Sequence, residues 1–106
     1  MFERYPVVVG SDIKADATET TFGLTQDLSR GGARLLTLGK YAPGSRLNLR
    51  IHIDESTVIK LTATVVRTAP ITDRGMWQHE IGVRFDELMA EEILGKLREL
   101  TAKLGW

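Results

Sequence analysis

The chain contains no cysteine in its 106 residues. That excludes a disulfide framework, a thiolate metal site and a cysteine nucleophile, and it accords with a reducing, cytoplasmic location. It also lacks a charge imbalance, since 14 basic side chains cancel 14 acidic ones. A general polyanion binder normally carries a basic excess, so non-specific DNA or RNA binding is disfavoured, whereas a small anion held by a local cluster is not. No apolar run approaches the roughly 18 residues of a membrane span, and the opening MFERYPVVVG has no stretch fit for a signal peptide, so no membrane insertion is expected. Aromatics are few, seven scattered along the chain. With zero net charge, that weighs against a small barrel binding single-stranded nucleic acid, which needs basic and aromatic residues on one sheet face. His52 and His79 stand apart, without the carboxylate or second histidine that a metal or catalytic site requires. No nucleophile–base pair stands out, so a binding module is expected rather than an enzyme.

What is present is a soluble globular composition, 42% apolar and 26% charged, in a length that makes one domain over residues 1–106. Alternation of period two dominates. Leu47, Leu49, Ile51 and Ile53 are separated by Asn48, Arg50 and His52, and Asp54-Glu55-Ser56 then supplies a polar turn. A second strand runs from residue 57 to about 67 with Ile59, Leu61, Ala63 and Val65 on one face, completing a hairpin. Residues 5–9 read as a strand despite Pro6, which suits a strand start or an edge, residues 10–20 as a polar loop, and Phe22 and Leu24 as a further strand. Ala33-Arg34-Leu35-Leu36 continues beyond residue 32, Pro43-Gly44 marks a turn, residues 70–75 a loop, and Ile81, Val83 and Phe85 share a face. Six short strands point to a small antiparallel barrel or sandwich.

After Phe85 the period changes. Met89, Ile93, Leu97, Leu100 and Leu104 have helical spacing, predicting an amphipathic helix over about residues 87–104. Gly95 weakens it by up to about 1 kcal/mol relative to alanine. The acidic Asp86, Glu87, Glu91 and Glu92 suit the positive end of the helix dipole. Two readings of the helix are open, a cap on the barrel's open end or a short helix–helix seam. Trp106 correspondingly either caps the core or lies in a dimer contact.

Between two strand segments lies Asp27-Leu28-Ser29-Arg30-Gly31-Gly32. Asp27 can accept hydrogen bonds from a planar N–H edge, and Ser29 can donate and accept. Gly31 and Gly32 permit positive φ and close backbone approach, and Arg30 and Arg34 add positive charge. This is either a hairpin connection whose polar side chains bond their own backbone, or a polar turn facing a ligand.

The strand pattern, the Asp-x-Ser-x-x-Gly turn after the second strand, the Ile-Gly-Val-Arg-Phe strand at residues 81–85 and the closing helix together resemble the PilZ domain, a family of bacterial receptors for the second messenger cyclic di-GMP. The resemblance runs from Arg4 to the final helix, and Asp27, Ser29 and Gly32 are its most specific part. It implies a mainly β fold, a six-stranded antiparallel split β-barrel over about residues 4–86 with a C-terminal α-helix. Arg4, followed by Tyr-Pro-Val, sits where the second arginine of the family's Arg-x-x-x-Arg motif would be, and the first would fall one position before Met1. By the same resemblance the ligand is cyclic di-GMP. Arg4 would meet the O6/N7 edge of a guanine, Asp27 would accept from its N–H edge, and Ser29 would bond the ligand rim or hold Asp27 in place. Gly31 and Gly32 would let the ligand approach the backbone, Arg30 and Arg34 are phosphate candidates, and Trp77 either stacks on a base or packs at the barrel edge. An alternative within the same fold is a degenerate domain that binds no nucleotide and acts in protein–protein interaction or homodimerisation, through the helix face or an open strand edge.

Overall fold

A computed structural model describes residues 4–15 and 20–103. The elements are β1 (Arg4–Tyr5), β2 (Gly10–Ala15), β3 (Thr21–Ser29), β4 (Gly32–Thr37), β5 (Arg46–Asp54), β6 (Thr57–Arg74), β7 (Trp77–Phe85) and α1 (Glu91–Lys103). Six strands close an antiparallel barrel in the order β3-β2-β5-β6-β7-β4, with β4 pairing back to β3, and β1 adds to β3 as a seventh strand. The expected six-stranded barrel with a C-terminal helix is therefore the observed fold.

The clearest element is β5. Leu47, Leu49, Ile51 and Ile53 are buried, while Arg46, Asn48 and Arg50 between them are exposed. Opposite them on β6 lie Ala63, Leu61 and Ile59, joined in the core by Ile13, Leu28, Leu35, Val65 and Ile81. Each fully buried aliphatic side chain contributes about 1.5–3 kcal/mol by leaving water.

Three expected boundaries change. The loop expected over residues 10–20 contains strand β2. Ser11 and Ile13 face the core and Asp12 and Lys14 face out, so a serine in an apolar slot disguises the alternation. The strand expected over residues 5–9 shortens to Arg4–Tyr5. Pro6 offers no N–H, and the Val7 N–H bonds the Tyr5 carbonyl at 2.7 Å in a three-residue turn. Thr25 holds the chain beyond that turn, its Oγ1 donating to the Val7 carbonyl at 2.6 Å and accepting from the Val9 N–H at 2.8 Å. The loop expected over residues 70–75 belongs mostly to β6, which continues to Arg74. Pro70 is accommodated where the register shifts between Pro70 and Arg74, and the chain reverses at Gly75, whose φ is +62°.

The helix begins at Glu91, later than about residue 87, and Met89 is buried in the approach to it. Leu97 is fully buried and Ile93 packs against the core, so these two positions cap the barrel instead of forming a helix–helix seam. Leu104 and Trp106 lie outside the described residues.

Two register shifts redirect charged side chains. One falls in β3 between Thr25 and Asp27, the other in β6 between Val65 and Arg67. Strict alternation would put Asp27 on the inward face with Thr25, and Arg67 there with Val65. The extra residues, Gln26 and Val66, re-aim both charged side chains to the outer face, as β-bulges do.

Candidate functional site

Asp27 lies on the outer face of the barrel, opposite Arg34 of β4. Its two carboxylate oxygens have separate partners. Arg4 Nη1 donates to Oδ1 and Arg34 Nε donates to Oδ2, both at 2.6 Å. The carboxylate is only 6% exposed, whereas the two arginine side chains are 55% and 41% exposed. An almost buried anion is thus flanked by two cations that remain open to solvent. Charge-assisted contacts of this length are among the stronger hydrogen bonds. Arg4 is brought there by β1, which pairs Arg4 with Ser29 and Tyr5 with Leu28 on β3, and Tyr5 anchors that strand in the core.

The remaining residues of the motif have structural work. Ser29 Oγ accepts the Gly32 N–H at 3.1 Å and donates to the Gly32 carbonyl at 3.2 Å, closing the β3–β4 turn. Its hydroxyl does not hold Asp27. Of the two freedoms expected of Gly32, positive φ and close backbone approach, it uses the second; the described glycines with positive φ are Gly44 and Gly75. Its requirement is steric, because a Cβ there would collide with the Val83 carbonyl oxygen on β7. The Gly31 carbonyl accepts the Phe85 N–H at 2.8 Å. Arg30 turns away from Asp27 toward the helix. Its Nε donates to the Met89 carbonyl at 3.1 Å, its Nη1 lies 3.8 Å from Glu91, and its own carbonyl accepts the Met89 N–H.

Arg4, Asp27 and Arg34 are therefore brought together, with Ser29 and Gly32 shaping the turn beside them. Trp77 is not with them. It begins β7, five residues before Gly82, the residue opposite Arg34, and its ring lies 6.2 Å from that of Phe22 at a 32° tilt. At about 3.3 Å per residue that separation is on the order of 16 Å.

The outer row containing Asp27 and Arg34 continues through Gly82 of β7 to Arg67 of β6. A Cβ at Gly82 would lie 2.8 Å from Arg67 Nε and 3.0 Å from its Cγ, so the arginine side chain extends over the bare glycine. Sequence reasoning missed both residues. The available sign was a cationic residue at a position that alternation from Ala63 and Val65 assigns to the core.

Elsewhere, His52 is not without a carboxylate as expected: its Nε2 lies 3.1 Å from Asp12 Oδ2 across the β2–β5 pair. Among the described residues no group of three or more His, Asp or Glu side chains could hold a metal ion. Asp86 is held below the usual carboxylate range, chiefly by the Arg46 guanidinium at 2.6 Å. Asp54 is lowered to about 2, first by the Ser56 backbone N–H and then by the Ser56 hydroxyl. A concavity of about 500 Å³ lined by Asn48, Arg50, Lys60, Thr62 and Glu87 lies over β5 and β6, and no residue of the Asp27 cluster lines it. No described helix is long and apolar enough to cross a membrane.

No curated protein matches the sequence. Among solved structures, the fold is similar to the inhibitor of motility MotI/DgrA of Bacillus subtilis, with a TM-score of 0.74 and 19% identity over 98% of this chain and 50% of that one. It is similar to the PilZ domain of YcgR with c-di-GMP from Escherichia coli, with a TM-score of 0.71 and 15% identity over 98% of this chain and 89% of that one. It also resembles the K. pneumonia MrkH–c-di-GMP complex, with a TM-score of 0.70 and 16% identity over 97% and 51% of the two chains. The chain thus spans about half the length of MotI/DgrA and of MrkH. The PilZ domain family model matches residues 1–103, essentially all of the barrel and helix, and this chain belongs to the PilZ domain family.

Proposed function

We propose that this chain is a cyclic di-GMP receptor domain and not an enzyme. The observation that carries the reading is the nearly buried Asp27 carboxylate held on the outer barrel face between the solvent-open Arg4 and Arg34. Guanine presents two adjacent acceptors on one edge and N–H donors on another. A guanidinium matches the first and a carboxylate the second. In the unliganded arrangement each group satisfies the other, so the site is preorganised without an unpaired buried charge. A guanine exchanges the Arg4–Asp27 contact for Arg4 on its O6/N7 edge and Asp27 on its N–H edge. Arg34 keeps the carboxylate oriented and lies close enough to meet a phosphate. Ser29 and Gly32 act indirectly, by fixing the turn that sets Asp27. The family membership and the two neighbours described with c-di-GMP support the same ligand.

Because Arg4 sits on β1, ligand contact with it changes what holds β1 to the barrel. In this reading occupancy is passed to a partner or attached domain through that segment. Calorimetric titration of the chain with cyclic di-GMP tests the proposal. Saturable heat is expected, lost in Asp27→Ala and weakened roughly tenfold to two-hundredfold in Arg4→Ala, the value of one bidentate arginine contact. Absence of heat at high micromolar ligand, or an Asp27→Ala protein that binds as the parent does, would refute it.

A further inference from the structure

Arg67 was not among the residues the sequence motif assigned, and the fold delivers it to the site by two independent features. The first is the β6 bulge. Without Val66 the Arg67 side chain would point into the barrel behind Val65; with it, Arg67 stands opposite Gly82, on the face that carries Arg34. The β3 bulge at Gln26 turns Asp27 to that same face in the same cross-strand row. The second feature is Gly82 itself. It is the residue between Arg34 and Arg67 in the row, and its missing side chain leaves a floor over which Arg67 lies. With adjacent strands about 4.8 Å apart, Arg34 and Arg67 have backbones roughly 10 Å apart, with no side chain rooted between them.

Charge makes the arrangement informative. Asp27 is shared by Arg4 and Arg34. Among the described residues Arg67 has no ion pair with any carboxylate; its side chain is exposed, and its Cγ, Cδ and Nε lie over Gly82. The row carries Arg34 and Arg67, and Arg4 reaches Asp27 from β1 beside it, so three guanidinium groups stand against one carboxylate, an excess that matches the two phosphates of a cyclic dinucleotide.

We propose that Arg67, laid over Gly82 beside Arg34, is a further ligand-binding residue of this site and takes a phosphate of the bound nucleotide. The inference rests on the receptor reading above and assigns the far side of the same site. A guanidinium suits this task, because its planar fork meets two phosphate oxygens at once and stays charged at every physiological pH. Gly82, with no side chain of its own, lets Arg67 lie low across the sheet toward Arg34.

The test titrates the full chain and four variants, Asp27→Ala among them, with cyclic di-GMP at two salt concentrations, with circular dichroism to verify folding. Arg67→Ala is expected to bind roughly tenfold to a hundredfold more weakly, with a flatter salt dependence, because one phosphate contact is gone. Gly82→Ala keeps every charge but displaces Arg67, and it too is expected to weaken binding. Arg50→Ala removes an equal charge from β5, outside the row, and is expected to bind as the parent does. Unchanged affinity in Arg67→Ala, or an equal loss in Arg50→Ala, overturns the role of Arg67 while leaving the receptor reading intact. Parental affinity in Gly82→Ala overturns its placement over the glycine. A parent chain that does not bind at all overturns both readings, and Asp27→Ala losing affinity while Arg67→Ala keeps it separates them.

Discussion

The β5–β6 hairpin and the β3–β4–β7–β6 outer row are made from the same antiparallel ladder, yet the Asp27 carboxylate and the arginines paired with it gather at the second. From Arg46 to His52, β5 pairs with Thr64 to Val58 without a register shift, and inside and outside alternate regularly. That region contributes Leu47, Leu49, Ile51 and Ile53 to the core. In the outer row, β3 admits Gln26 and β6 admits Val66, and immediately after each of these a charged side chain appears on the outer face. Regular alternation builds the container, while departures from it place the chemistry.

Removing a departure puts this contrast under the greatest strain. Deleting Gln26 restores unbroken alternation in β3 and turns Asp27 toward the core. Burying a carboxylate without its partners costs several kcal/mol, so a large loss of stability and complete loss of nucleotide binding are expected. Chemical denaturation and titration would measure both, and a deletion variant that still binds would show that the bulge does not aim Asp27. The complementary change belongs to the regular half. Leu49→Ala leaves a cavity beneath β5 and is expected to cost about 2–5 kcal/mol in denaturant unfolding, with affinity unchanged wherever the protein remains folded.

A third variant probes the seam between the two regions. Arg30 leaves the site to bond the Met89 carbonyl, so Arg30→Ala should cost about 0.5–1.5 kcal/mol of stability and barely alter binding. A binding loss exceeding the stability loss would return Arg30 to the ligand site. The smallest effect concerns the hairpin tip. Because the Asp54 pKa is lowered to about 2, its interactions stabilise the fold fully above its ordinary value of 3.8 and are lost as pH falls toward 2. Asp54→Asn should therefore melt below the parent at neutral pH, and the gap should shrink on acidification across that window. A gap independent of pH would exclude the carboxylate charge as its cause.

Legibility in the sequence followed the same division. Leu47 to Ile53 and the spacing of Ile93 and Leu97 announced their faces because each apolar position recurs at a fixed interval. Strand β2 was hidden because Ser11 occupies a core position, and a hydroxyl there looks like loop composition. The outer half of β6 was hidden by Pro70, which the register shift tolerates. At the site, Arg4, Asp27 and Arg34 were readable from a motif and its neighbours. Arg67 was not, since a bulge is one inserted residue that no periodicity can announce. The place of Trp77 along β7, five residues before the one opposite Arg34, was not readable either, because it depends on how the strands pair.

The turn closed by Ser29 and Gly32 bears on how such sequences diverge. Ser29 bonds only the Gly32 backbone, and Gly32 is required by the Val83 carbonyl, so both would be retained by any descendant that keeps the barrel, whatever it binds. Asp27 has no such obligation; its partners are two surface arginines that could drift with it. Of the three motif positions, two answer to the fold, and under the receptor reading proposed above the third answers to the ligand. A relative that preserves the serine and glycine but replaces the aspartate should be expected to have inherited the architecture and abandoned the messenger.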